Sequence, residues 1–591
     1  MSDTKLFATL QLSRTANMTL KSAFPRSSAF GLNCLVVCAV VVLAYFLSTR
    51  AAAAPGQLDH TFGGGAGIIE LDEPLSPGFG HPVRLLGTAS GRLVLAGGCS
   101  RTENGTTTFR FCMMQTLPDG TLDDSFGAQG LAVAPPITGT LDILNAAAIG
   151  PDGSILVAGY CGDYINGTSP TRFCAARFTD QGILDTSFGV NGTKIYPISQ
   201  RNDMAQSALV LADGRALIAG TCDGDPPVGS GRSICLIRID ANGDLDSTFG
   251  AGGAATVEIL SSLAGVGLQS DGRVVVGGLC WSGVPHFCVA RFSASGALDT
   301  SFGAGQGVVV WKRTRYSDVP LSFSLRADDS ILLAGTCDFE PTNPNNWSDV
   351  CVARFTADGL IDESFGALGV GLSGYSRTDA ADRMVVQSDG RIVMVGSCSL
   401  IGDCLIRFSD LGAPDMSYGA NGVVRAEIGT GYLGAALGQA DGKVLVAVHC
   451  TYPNTYGKLC FARLKGGPYS ASSCAINVDA NQTVDPATDG TLIARYLLGF
   501  RGEQLTAGAL GQNPTRIGPA LESYLGTLNL DADGDGQSLA FTDGLLILRA
   551  MLGLTGTALT SGATNATHPN TRLAQEILTW IESVHGVACL P

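Results

Sequence analysis

The sequence predicts an all-β ring, a seven-bladed β-propeller of four-stranded blades, followed by a small α-helical domain. Three observations predict it. A motif with a period of 52 to 64 residues recurs seven times in the 591-residue chain. Each copy carries one cysteine pair at the same place, and after Gly466 the apolar periodicity changes from two to helical. The implied boundaries are 1–54 for an export signal, 55–466 for the propeller, 467–473 for a linker and 474–591 for the helical domain.

The N-terminus is an address. Lys21 and Arg26 precede the apolar run Leu35 to Leu47, and Ala51 to Ala54 follow. This charged, apolar, small-residue order is that of a secretory signal peptide cleaved after Ala54. It predicts a secreted or cell-surface protein. The competing reading is an uncleaved membrane anchor, for which Gly31 to Leu47 is of borderline length. Charged residues are only 15% and glycines number 78, which suits short, tightly turned strands. The net charge is -15 and basic residues are scattered singly, which argues against nucleic acid as a partner. An acidic surface suits solubility and cation binding.

The clearest repeat runs from Leu268 to Gly303. Gln269-Ser270-Asp271-Gly272-Arg273 makes a turn, then Val274-Val275-Val276 and Gly277-Gly278 lead to Cys280. Cys288, Val289-Ala290-Arg291-Phe292 and Leu298-Asp299-Thr300-Ser301-Phe302-Gly303 complete it. Asp-Gly turns recur at Asp152, Asp213, Asp271, Asp389 and Asp441; Ser90-Gly91 and Asp328-Asp329 are degenerate copies. Glycine supplies the positive φ of a tight hairpin. The closing aromatic recurs as Phe62, Phe126, Phe188, Phe249, Phe302, Phe365 and Tyr418. In the fifth unit the strands are expected at Val308 to Lys312, Leu321 to Arg326, Ile331 to Ala334 and Cys351 to Phe355. The third is continuously apolar between turn residues, as a strand buried on both faces should be. From Gln57 to Leu464 these motifs resemble the delta-60 repeat, a bacterial family. The resemblance implies a β-propeller fold and export, with no established catalytic activity.

Of 18 cysteines, Cys34 and Cys38 lie in the signal. Seven pairs recur in the repeats: Cys99-Cys112, Cys161-Cys174, Cys222-Cys235, Cys280-Cys288, Cys337-Cys351, Cys398-Cys404 and Cys450-Cys460. One cysteine ends a strand and its partner begins the next, so each pair should staple a hairpin. Cys474 and Cys589 bracket the C-terminal region and are the eighth expected pair. Zinc is the alternative, but the spacing varies from six to fourteen and no histidine accompanies the pairs. An oxidising compartment follows.

A second regularity concerns charge. Arg177, Arg238, Arg291, Arg354 and Arg407 each precede an aspartate by eight residues: Asp185, Asp246, Asp299, Asp362 and Asp415. The first unit has Gln115 before Asp123, and Arg463 has only Ala471 at that offset. An orphan Asp59 stands near the N-terminus. Arg and Asp should pair once per blade, with Arg463 meeting Asp59 when the ring closes. Gly63 to Gly67 is a turn, since no Lys-Ser/Thr helix follows it as a phosphate loop requires. The six histidines are scattered without triad or metal spacing. Trp281, Trp311 and Trp347 suit packing better than a carbohydrate face.

Two loops in the C-terminal region carry oxygen-bearing residues at alternate positions, the pattern that converges on Ca²⁺. The better copy has Asp531, Asp533, Asp535 and Gln537, Gly at position six, and Asp543 before the helix Leu545 to Leu552. The other has Asn477, Asp479, Asn481, Thr483 and Asp489 before the helix Leu492 to Leu498, with Gln482 where glycine belongs. A further helix is expected around Ile517 to Leu525 as an insertion, and a last one over Thr571 to Val584. The stretches Thr488 to Gly499 and Thr542 to Gly553 resemble a dockerin-like, EF-hand-type calcium module. Here the closing acid stands twelve residues after the first ligand, one further than in an EF-hand. The second loop should bind Ca²⁺ and the first more weakly.

The expected function is an exported, monomeric, non-catalytic binding or display scaffold for a protein or glycan, linked to extracellular polysaccharide by analogy with dockerin-like modules. Membrane attachment would come only through an uncleaved signal. The alternative is a secreted glycoside hydrolase or lyase at the propeller mouth. It needs acids that break the repeat, of which Asp379, Asp382, Asp223 and Asp225 are the candidates.

Overall fold

The structure is a computed structural model that describes residues 56–585 apart from 73–83, 104–105, 163–169, 224–231, 259, 282, 313–316, 339–347, 374–378, 399–401, 417, 420–421, 426–432, 440, 453–454, 467–473, 482–483, 512, 565–567 and 569–570. The expected signal, the linker and Cys589 lie outside the described residues.

The repeats fold into antiparallel sets of four strands. One set is Leu260–Leu268, Val274–Trp281, Pro285–Phe292 and Val308–Trp311, paired in chain order. Gly272 takes φ +85° in the turn before the second strand, whose first five residues are all buried. Five sheets have four strands; an eight-stranded sheet is two such sets joined where Phe109 pairs with Leu141. The first strands of neighbouring sets pack against one another around a common centre, so the sets form a β-propeller. One expectation needs correcting: Val308–Trp311 is not the first strand of its own unit but the outer strand of the preceding sheet. The sequence motif and the sheet are out of step by one strand. The last sheet therefore needs a strand from elsewhere, and Ile68–Asp72 supplies it by pairing with Thr455–Leu464.

In four sets the glycine two residues before the first cysteine has a defined task. The inner strands bulge at one shared place, between Leu144 and Ala146, Ala205 and Ser207, Leu263 and Gly265, and Pro320 and Ser322. The opposing residues are Gly159, Gly220, Gly278 and Gly335. A Cβ on any of them would lie 1.8–2.0 Å from a carbonyl oxygen of the bulged strand. Six disulfides staple the hairpins: Cys99-Cys112, Cys161-Cys174, Cys222-Cys235, Cys280-Cys288, Cys337-Cys351 and Cys398-Cys404. Cys460 and Cys474 are also disulfide-bonded. The Cys450 side chain falls outside the described residues.

The charge regularity is a strut. Arg238 Nε donates to Asp246 at 2.7 Å, Nη2 donates to Thr248 Oγ1, and the guanidinium lies 4.8 Å from the Phe249 ring centre. Its Nη1 donates to the carbonyl of Ala294 in the next repeat at 2.6 Å. Arg177, Arg291, Arg354 and Arg407 repeat the pairing with Asp185, Asp299, Asp362 and Asp415. In the first unit, where Gln115 replaces the arginine, Arg92 reaches Asp123 at 3.2 Å. That reveals a part absent from the sequence reading: where a cation follows the turn, it reaches the same acid. Arg215 and Arg391 do this at 3.1 Å, and Lys443 at 3.3 Å from Asp59. The ring closes as expected, with Arg463 Nε 2.6 Å from Asp59, donation to Thr61 Oγ1, and the guanidinium over Phe62. Burial pushes the Asp59 carboxyl up, but Lys443, Arg463 and the Thr61 hydrogen bonds outweigh it and hold it at about 2.

Two substitutions test this frame in urea. Asp59→Asn leaves Arg463 against a neutral partner at a site only 1% exposed, and should cost about 3 kcal/mol or more. Asp185→Asn, at a carboxylate 25% exposed, should cost clearly less. Equal losses would refute a special role for the closing strut. Gly220→Ala should destabilise by about 2 kcal/mol or more, because the new Cβ meets the Met204 carbonyl oxygen at 2.0 Å.

Candidate functional site

The helical region is one core built from two similar halves. Each half has an acid-bearing loop, a single π turn (Pro486–Gly490, Ala540–Gly544) and a helix (Thr491–Leu497, Leu545–Met551). Short helices follow at Glu503–Thr506 and Gly556–Thr560, then longer ones at Gly518–Leu525 and Ala574–His585. The helix expected as an insertion is thus part of the repeat, with the last helix as its counterpart. Matching arginines confirm the correspondence. Arg495 bonds the carbonyls of Leu505 and Ala507, and Arg549 those of Leu559 and Ser561. Arg516 holds the carbonyls of Asn477 and Val478 and stacks on Tyr524. Arg572 holds those of Asp531 and Ala532 and stacks on Trp580. These arginines fix the start of each loop. Leu492, Ile493, Leu546, Ile547, Leu521 and Ile577 share the buried core.

In the second loop the carboxylates of Asp531, Asp533 and Asp535 each place an oxygen within 4.8 Å of the others. Three hard oxygen donors at that separation fit a Ca²⁺-sized cation. Asp543 closes the loop from the helix side. It is fully buried, accepts from the backbone N–H groups of Asp533 and Leu539 and from Thr542 Oγ1, and stands outside that group of three. It ties the loop to the helix start. Gln537 is exposed and donates its backbone N–H to Asp535.

The first loop has Asp489 in the same tying role, accepting from Val478, Asp479 and Asp485. Asp479 accepts from the backbone and side chain of Asn481 and from Gly511 N at 2.7 Å. Neutral donors therefore already satisfy much of that carboxylate. Asn477 donates to the Asn481 carbonyl, and Thr483 lies outside the described residues. Burial raises the Asp489 carboxyl, the charge of Asp479 adds to this, and hydrogen bonds only partly oppose it, leaving about 6. Burial and Asp533 likewise raise Asp543.

The acids singled out in the propeller separate. Asp223 is held by Asn202 and faces Arg232 at 3.6 Å. Asp225 and the side chain of Asp379 lie outside the described residues. Asp382 sits at the bulge of the inner strand Asp379–Val386, beside Arg383. Burial raises Asp382 against the pull of Arg383. Asp403 on the neighbouring third strand was missed by the sequence reading; burial, then the charge of Asp382, push it up to about 6. Trp311 packs against Phe287 and Phe355, Trp281 is exposed, and Trp347 lies outside the described residues.

Three segments, 150–188, 211–249 and 269–302, match the family model described as "Domain of unknown function (DUF5122) beta-propeller". No curated protein matches the chain. Among solved structures, an inactive variant of virginiamycin B lyase from Staphylococcus aureus is 12% identical, with TM-score 0.37 over 67% of this chain and 98% of that one. The β-propeller domain of a trilobed protease from Pyrococcus furiosus is 11% identical, with TM-score 0.35 over 64% and 95%. A gluconolactonase from Xanthomonas campestris is 14% identical, with TM-score 0.28 over 67% and 99%.

The raised acids give the helical region a pH signature. The folded pKa of Asp489, about 6, exceeds its ordinary 3.8, so its contribution is full below pH 3.8 and is lost as pH rises through about 6. In chelator, the helical transition should weaken over that window. With Ca²⁺ present the loss should be smaller, because a bound cation offsets carboxylate repulsion. Circular dichroism melts across the window check both; a rise in stability with pH in chelator would contradict the sign.

Proposed function

We propose that the chain is an exported, seven-bladed, disulfide-stapled propeller that acts as a non-catalytic binding and display scaffold. Its C-terminal module, residues 474–591, is dockerin-like and ordered by Ca²⁺ at Asp531, Asp533 and Asp535. The propeller spans residues 55–466 and works outside the cytoplasm, linked to an extracellular protein or polysaccharide. The observation that carries this reading is the fate of the repeated acids. Asp59, Asp185, Asp246, Asp299, Asp362 and Asp415 are each committed to an arginine and to a Ser or Thr hydroxyl or a neighbouring cation. Acids held in that way are struts rather than general acids or bases. Six disulfides support an oxidising compartment. The three-carboxylate cluster supports calcium in the second loop.

The full chain should be melted with Ca²⁺ and with chelator. At a hundredfold excess over its dissociation constant, Ca²⁺ should stabilise the helical transition by about 2.7 kcal/mol. Asp531→Asn with Asp535→Asn should abolish the gain, while Asn481→Ala should leave most of it. No response to Ca²⁺ in the intact protein would refute the module. Polysaccharide retention without released sugar supports a scaffold; release of reducing ends or unsaturated products would replace it with the hydrolase or lyase reading.

A further inference from the structure

The second and third repeats enclose a cavity of about 70 Å³. That is several times the roughly 10–15 Å³ that one water requires. Leu156, Phe188 and Ile239 make a buried apolar floor, and the exposed Asp152 stands at the mouth. Three departures from the repeat shape this place. Ser154 follows the Asp-Gly turn where Arg215, Arg273, Arg391 and Lys443 follow theirs. Gly150 stands where the other repeats carry Thr88, Leu211, Gln269, Arg326, Gln387 and Gln439. Even a Cβ on Gly150 would lie 2.8 Å from Asp152 Oδ1, 2.9 Å from Ser154 Oγ and 3.4 Å from Val210, all three in the cavity wall. Asp240, also in the wall, replaces the Thr179, Ser293, Thr356 and Ser409 of its sisters. The first two changes open the space, and the third adds a carboxylate to it.

Sister repeats supply their own cation at this place. Arg215 lies 2.6 Å from the turn acid Asp213 and 3.1 Å from the strut acid Asp246. Arg273 lies 3.4 Å from Asp271 and 3.6 Å from Asp299, and Lys443 is 3.3 Å from both Asp441 and Asp59. Arg391 pairs with Asp389 and Asp415 in the same way. In the fifth repeat, where Ser330 follows the turn, Arg326 comes within 4.0 Å of Asp328. In the second repeat Asp152 Oδ1 receives only the Ser154 N–H and hydroxyl. Asp240 Oδ1 accepts from the backbone N–H groups of Asn242 and Asp244, a task that hydroxyls perform for Thr179 and Ser293. Its second oxygen is surplus to the turn. Among the described residues neither Asp152 nor Asp240 has an ion-pair partner within 4 Å. Arg177, also in the wall, is committed elsewhere: Nε to Asp185 at 2.7 Å, Nη2 to Ser187, and Nη1 to the Ala241 carbonyl. A second guanidinium beside such an arginine is accommodated in the third repeat, where Arg215 and Arg238 share Asp246 Oδ2.

We propose that this cavity takes the guanidinium of an arginine side chain presented by an extracellular protein partner, with Asp152 and Asp240 as its acceptors. The cation that sister repeats supply from within enters here from outside. A planar, weakly hydrated guanidinium suits carboxylates above an apolar floor better than a compact, strongly hydrated ammonium does. The inference rests on the scaffold reading, whose partner chemistry it names, and it is independent of calcium.

The test uses residues that the sister repeats already carry. The full chain is titrated calorimetrically with Nα-acetylarginine amide and with its lysine and citrulline counterparts. The arginine probe should bind with a dissociation constant at or below about 1 mM, and the other two at least about tenfold more weakly. Ser154→Arg fills the cavity as Arg215 does in its own repeat, and Asp240→Thr restores the turn-capping hydroxyl. Each should weaken the arginine probe by at least about tenfold while melting no lower than the parent. An arginine probe that does not bind, or that binds either variant as it binds the parent, overturns the site. Lysine or citrulline bound as tightly as arginine overturns the ligand class. If arginine fails while polysaccharide is still retained without released sugar, the site falls and the scaffold reading stands. Sugar release alongside arginine binding would remove the scaffold reading and leave the site.

Discussion

The ring depends on one recurring contact, an arginine clamped between an aspartate eight residues ahead and a carbonyl in the next repeat. Arg291 is typical: 2.8 Å from Asp299, 2.9 Å from the Ala357 carbonyl, and 4.7 Å over the Phe302 ring. The aspartate is pre-set because Ser301 N–H and Oγ both donate to its other oxygen. The aromatic beneath is fully buried, and the glycine of the next turn lies so close that a Cβ on Gly359 would meet Phe302 at 2.3 Å. One side chain thus sets the local turn, the packing of the aromatic and the distance to the neighbouring blade. A buried ion pair adds little net stability over an apolar replacement. Its role here is geometric: it fixes where one blade meets the next.

Closure follows from the same contact. The motif and the sheet are out of step by one strand, so the first described segment has no sheet of its own and the last sheet lacks an outer strand. Gly56 to Asp72 fills both needs. Asp59 completes the strut of Arg463, Phe62 lies beneath that guanidinium, and Ile68–Asp72 completes the sheet. Arg463 also reaches the Pro118 carbonyl at 3.3 Å in the first repeat, as its sisters reach their own neighbours.

The legible parts were those written in short, fixed intervals. The eight-residue Arg–Asp spacing, the cysteine pairs and the orphan Asp59 all carried three-dimensional meaning, because each interval spans one strand and one turn. The strand-to-sheet assignment was not legible. A period of two marks a strand equally well on either side of a repeat boundary, so Val308–Trp311 could belong to either sheet. The cation that follows the turn and reaches the strut aspartate in several units was hidden for another reason. Arg92 and Asp123 are 31 residues apart, and only a hairpin brings them together. In the helical region the two halves drift in register, since Asp479 to Arg516 spans 37 residues and Asp533 to Arg572 spans 39. The engagement of Asp479 by Gly511 across 32 residues had no local sign at all.

Repetition also separates structural from functional charge. A group present in every copy answers a need that every copy has, and the ring's shared need is to hold adjacent blades in register. A group present once must answer something local. Asp403 illustrates the difference: its sisters Phe173 and Phe287 contribute buried apolar surface, whereas Asp403 forgoes that surface and sits near a second carboxylate. Asp362 carries the same side chain in a shared position, and there an arginine, a serine hydroxyl and a backbone N–H stabilise its charge and lower its pKa. Identical chemistry is driven in opposite directions by its surroundings. The strut acids are therefore spent on the scaffold.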